Sequence, residues 1–84
     1  MQSFTITSGL PDDISVGDIF DVELNSGAAY VQINVTHAED TFVRGNVTGF
    51  ETHAVDLQQL AITIAVSCVQ ATISESQKTL DILT

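Results

Sequence analysis

The stretch Ile19-Phe20-Asp21-Val22-Glu23-Leu24, the turn signal Asn25-Ser26-Gly27, and the return Tyr30-Val31-Gln32-Ile33-Asn34-Val35-Thr36 decide the fold class. Both runs alternate apolar and polar residues. Successive side chains of a strand point to opposite faces, so Phe20, Val22 and Leu24 share one face and Asp21 and Glu23 the other. On the return, Val31, Ile33 and Val35 face a core, while Tyr30, Gln32, Asn34 and Thr36 face out. Asn, Ser and Gly are turn residues, so the two runs read as an antiparallel hairpin.

Working outward from this hairpin, more strands follow. Upstream, Phe4-Thr5-Ile6-Thr7 alternates briefly before Gly9-Leu10-Pro11-Asp12-Asp13 breaks it. Ile14 to Gly17 then leads into the hairpin. Downstream, His37-Ala38-Glu39-Asp40 is a polar connection, and Thr41 to Phe50 reads as a strand. Its pattern puts Phe42, Arg44, Asn46, Thr48 and Phe50 on one face and Val43, Gly45, Val47 and Gly49 on the other. Glycine inside a strand marks a bend, a bulge or a close backbone approach. A shorter strand is expected over Ala54 to Leu57, a turn at Gln58-Gln59, and a strand over Leu60 to Val69. In the last, Ile62, Ile64, Val66 and Cys68 point one way, and the small Ala61, Thr63, Ala65 and Ser67 point the other with Val69. Cys68 reads there as a buried small hydrophobe. Helix is the rival reading for 54–69, because Ala, Leu and Gln are good helix formers. β-branched density over 62–69 favours strand. The tail from Gln70 to Thr84 carries a capping-box pattern, Ser74-Glu75-Ser76-Gln77, and reads as a short helix, an extra strand or disorder.

Val, Ile, Thr, Phe and Tyr make up 32 of the 84 residues, the types that fit a pleated surface. The fold expected is therefore all-β: a single domain over 1–84 forming a small, strongly bent five-stranded antiparallel barrel. Its core would span about 16–69, with a short N-terminal lead-in and a C-terminal tail over 70–84. A chain this short buries only roughly 60–65% of its unfolded surface, so subunit contacts are a common supplement.

Eleven acidic residues face only Arg44 and Lys78, giving a formal charge of −9. Such a field repels phosphate backbones and anionic membranes at long range. No apolar run approaches the roughly 18 residues of a membrane span. The start, MQSFTITSGLPDD, lacks the basic and apolar regions of a signal peptide, so the protein reads as cytoplasmic, in a cell or an infected host. Lone Cys68 supplies no disulfide framework, and His37 and His53 stand sixteen residues apart without the dense spacing of a metal site. No cofactor is implied. Catalytic patterns are missing too: no glycine-rich phosphate loop occurs, and no nucleophile sits in a strand-turn-helix context. The expectation is a binding protein and not an enzyme.

VGDIFDVELNSGAAYVQINV (16–35) resembles the opening of the first motif of the Sm/LSm family, and FVRGNV (42–47) resembles the second, an apolar pair followed by Arg-Gly-Asn. Together they cover about a third of the chain. His37-Ala38-Glu39-Asp40-Thr41 does not reproduce the aspartate and asparagine that close the family's first motif. The Arg-Gly element also falls on the third expected strand rather than the family's fourth. The resemblance, to divergent Sm-like proteins of marine viral origin, implies an Sm-like or SH3-like barrel. It also implies a homo-oligomeric ring with single-stranded RNA or DNA at its inner rim.

On that resemblance, Arg44 is the first candidate for nucleic-acid contact, because a guanidinium can stack on a base and donate to phosphate. Tyr30 and His37 are stacking candidates. Two other readings stand beside it: a structural assembly or adaptor protein, such as a virion component, with no nucleic-acid site, and an acidic inhibitor of a DNA-binding protein. Self-association is expected through the small face of 60–69, with strand edges meeting head to tail to close a ring.

Overall fold

Asn25, Ser26 and Gly27 all adopt positive φ, at 52°, 60° and 98°, so the turn signal folds as its residue types require. Glycine adopts this region freely; Asn25 is held in it by a bond from the Thr5 N–H to its Oδ1 at 3.1 Å. The turn joins β2 (Ile19–Leu24) to β3 (Ala29–Ala38), paired antiparallel from Ile19↔Asn34 to Leu24↔Ala29. The computed structural model describes residues 2–74 and 76–83.

Around this hairpin the chain winds a closed antiparallel barrel of six strands in sequence order. The others are β1 (Gln2–Ser8), β4 (Phe42–Thr52), β5 (Cys68–Thr72) and β6 (Thr79–Ile82). The expected five-stranded barrel is therefore corrected to six. The lead-in is a full strand, and of the forms open to the tail a strand is realised: β6 pairs with both β5 and β1 and completes the closure. Closure follows from pattern. Leu80 and Ile82 alternate inward with Asp81 outward, which gives the short segment a core face to bury. The capping-box pattern opens no helix among the described residues: Ser74, Ser76 and Gln77 are bends ahead of β6, and its Glu75 lies outside the described residues.

The core is aliphatic. Val22, Leu24, Val31, Ile33, Val35, Val43, Val69 and Leu80 are all at most 1% exposed. Two bulges shape the β3–β4 pairing. One leaves Thr36 extra on β3, between Val35↔Gly45 and His37↔Arg44. The other leaves Thr48 extra on β4, between Ile33↔Val47 and Gln32↔Gly49. An extra residue reverses the parity of every side chain beyond it. Phe50, expected on the Arg44 face, accordingly stands opposite the core residue Val31 and packs against the core.

The strands expected over 54–57 and 60–69 are replaced by two short helices, α1 (Val55–Gln58) and α2 (Ala61–Ala65), before β5 begins at Cys68. Leu57 and Ile64 are buried and Leu60 is partly so. Their spacing of three and four is a helical stripe. On β4, β5 pairs with Phe42–Asn46 alone, and the helices pack beside the rest of β4. Tertiary burial stabilises these short turns, which would be unstable alone. The expected faces of 60–69 are corrected with them. Ile62 and Val66 point to solvent, Ser67 is buried, and Cys68 is exposed, its Sγ 3.3 Å from Asn46 Oδ1. No helix among the described residues is long and apolar enough to cross a membrane.

Candidate functional site

β4 directs Arg44 outward between His37 on β3 and Gln70 on β5. The Arg44 Nε donates to Gln70 Oε1 at 2.9 Å, and its guanidinium carbon lies 5.1 Å from the centre of the Phe42 ring. Phe42 in turn stacks with His37, centroids 6.1 Å apart and planes inclined by 28°. His37 Nε2 is 2.8 Å from Glu39 Oε1. The result is an outward platform of guanidinium, phenyl and imidazole across two strands.

Two of the three sequence candidates, Arg44 and His37, are thus brought together, and the Thr36 bulge sets them opposite each other. Phe42 and Gln70 complete the cluster and were not singled out. The signal for Phe42 was its place two residues before Arg44 on the same face; Gln70 could not be placed without the register of β5. Tyr30 stands apart. It lies seven residues before His37 on β3, roughly 20 Å away at the usual strand rise. There its hydroxyl is 3.3 Å from Glu23 Oε2, and it faces Glu23 and Glu51 across its two neighbouring strands. With Asp21, Gln32, Gly49 and Glu51 it lines an open groove of about 400 Å³.

The charges near the platform oppose a polyanion. The outward row through Arg44 continues from Gln70 to Asp81 on β6, and Glu39 holds the imidazole at the other end. Closure of the barrel also pairs β1 with β6, so the two open edges that a head-to-tail ring would use are occupied.

A different surface is chemically distinct. The α1–α2 segment exposes Val55 at 73%, Ile62 at 85% and Val66 at 80%. Ile62 and Val66 are one helical turn apart, each two residues from buried Ile64, so they stand about 200° round the helix from the core-facing stripe. α2 is apolar on both sides, a pattern that belongs to buried helices. Residues 57–74 contain no Asp, Glu, Lys, Arg or His, although the chain holds eleven acids elsewhere.

Among the described residues no three His, Cys, Asp or Glu side chains come together in a way that could hold a metal ion, and every buried side-chain nitrogen or oxygen has a hydrogen-bond partner. Comparison with protein-family models, curated proteins and solved structures finds no match to this chain.

Proposed function

We propose that the protein is a non-catalytic assembly or adaptor module, a small barrel that docks to protein through the outer face of α1–α2. The observation that carries this reading is the exposure of Ile62 and Val66 within residues 57–74, a stretch without charge, with Val55 exposed just before it beside Asp56. Uncovered large apolar side chains on a stretch without charge of its own are what a protein interface buries. The barrel's role is to hold that face rigidly, with Leu57 and Ile64 anchoring it to the core.

A photo-crosslinking residue in place of Ile62, introduced in cells of the natural source, tests the reading. The expected result is a discrete adduct from position 62 and none from Asp12, on the exposed loop before β2. Equal or absent adducts at both positions would refute it.

A second reading, single-stranded nucleic-acid binding, is favoured by the Arg44–Phe42–His37 platform, since aromatic and guanidinium planes stack on bases. Fluorescence anisotropy with short RNA and DNA oligomers at low salt distinguishes the two. Docking through α1–α2 predicts no binding, whereas the platform predicts binding that Arg44→Ala removes.

A further inference from the structure

We infer that the partner on the α1–α2 face is a second copy of this chain, packed across a twofold axis so that Ile62 of each copy meets Val66 of the other. This rests on the docking reading above. Two chains of −9 repel each other, and all eleven acids lie outside residues 57–74. Residues 57–74, from Leu57 of α1 through α2 and β5, are therefore the longest acid-free stretch through which two copies can approach, with Asp56 at its border. A strongly basic partner would be drawn instead to the acidic outer rows, such as Glu23, Tyr30 and Glu51.

The face also suits a twofold contact. An isologous interface needs a surface that is complementary to itself. Ile62 and Val66 are similar in shape, one turn apart, and pair reciprocally when two such turns cross antiparallel. Ala65 beside them is exposed and small, which lets the helices come close. Burial on both copies would also cover the apolar outer side of α2 that the monomer leaves in water.

Sedimentation equilibrium on the full chain tests this, from about 10 μM to 1 mM, because a contact centred on two apolar side chains of each copy belongs to weak interfaces. The mass should climb from 9.0 kDa toward twice that value with concentration. The midpoint should fall at least about threefold between roughly 20 mM and 500 mM NaCl, as screening weakens the mutual repulsion. Ile62→Glu should remain at 9.0 kDa throughout while keeping the wild-type circular dichroism and melting curve. Val66→Gln serves as an independent variant should Ile62→Glu misfold, and it should weaken the dimer in the same direction.

A wild-type chain that stays monomeric at the highest concentration and salt overturns the inference, as does a dimer that folded Ile62→Glu or Val66→Gln leaves intact. A monomer combined with a position-62 adduct of some other mass means that a different protein fills the face, and docking stands without self-pairing. A monomer with no adduct removes both.

Discussion

Gly45 on β4 lies so close to Asn34 on β3 that a methyl group has no place between them: a Cβ at position 45 would run into the Asn34 carbonyl oxygen and lie 2.7 Å from Ile33 Cγ2. Both obstacles are fixed, one being backbone and the other a fully buried side chain. Gly45→Ala should therefore destabilise the barrel by about 1–3 kcal/mol, the usual cost of overpacking. In a domain of this size that lowers Tm by roughly 4–8 °C per kcal/mol. Gly49→Ala is the control. Its Cβ would meet Gln32 Cβ at an ordinary 3.4 Å, so its melting temperature should stay near wild type.

The turn at Asn25-Ser26 supplies the next prediction. Ser26 holds φ at 60° without a side-chain bond of the kind that Thr5 gives Asn25. A residue with a Cβ is disfavoured there by about 1–2 kcal/mol. Ser26→Gly should be neutral to stabilising by up to about 1 kcal/mol, reduced by the added freedom of the unfolded chain. Asn25→Ala should destabilise by about 1–2 kcal/mol, because it loses both the tolerance of positive φ and the acceptor for the Thr5 N–H. Thermal melts of the two variants should move in different directions, and a stabilised Asn25→Ala would contradict the account.

Where period two runs unbroken, as in Ile19–Leu24 and Tyr30–Thr36, strand, turn and inward face were legible, but β3 runs from Ala29 to Ala38 and takes in His37 and Ala38, which read as part of the polar connection. It stopped being legible where an extra residue changes parity. Nothing local to Thr48 announces the bulge that turns Phe50 toward the core. Over 54–69 the β-branched residues misled, because Ile62 and Val66 are not core residues at all. Their exposure is visible only once Leu57, Leu60 and Ile64 are read as a helical stripe. The sixth strand was too short, and too far along the chain from its β1 partner, for pattern alone to decide. At the platform, Arg44 and His37 could be named from type, but their contact depends on the bulge at Thr36, and Tyr30 was separated from them by strand length.

Closure by β6 makes a strong demand on one side chain. Leu80 is fully buried, with its strand paired to Phe4 on one side and Ala71 on the other. Leu80→Ala should cost about 2–5 kcal/mol. That is a large fraction of the roughly 5–15 kcal/mol that holds a domain together. Chemical denaturation should show a lower midpoint, with hydrogen exchange accelerated in β1 and β5 as well as β6. An Leu80→Ala protein of wild-type stability would mean that β6 does not close the barrel in solution.

Salt should stabilise the monomer fold itself, independently of any association. Glu23 and Glu51 flank Tyr30 from the two neighbouring strands, about 10 Å apart at the usual strand spacing. That separation equals roughly one Debye length at 0.1 M salt, so their repulsion is felt at low ionic strength and screened at high. The same holds for the remaining acids of a −9 chain. Melting temperature, measured at low protein concentration to keep the chain monomeric, should rise steadily with NaCl through the range in which the Debye length shrinks. Sulfate is avoided because it strengthens apolar burial by a separate route. Glu51→Gln removes one member of the pair without altering shape. It should raise Tm most at low salt and flatten the salt dependence. Thr36→Val, on the neighbouring strand β3 and without charge, should leave the slope unchanged. A Tm that falls with added NaCl would show that attractive ion pairs, and not this repulsion, govern the electrostatics of the fold.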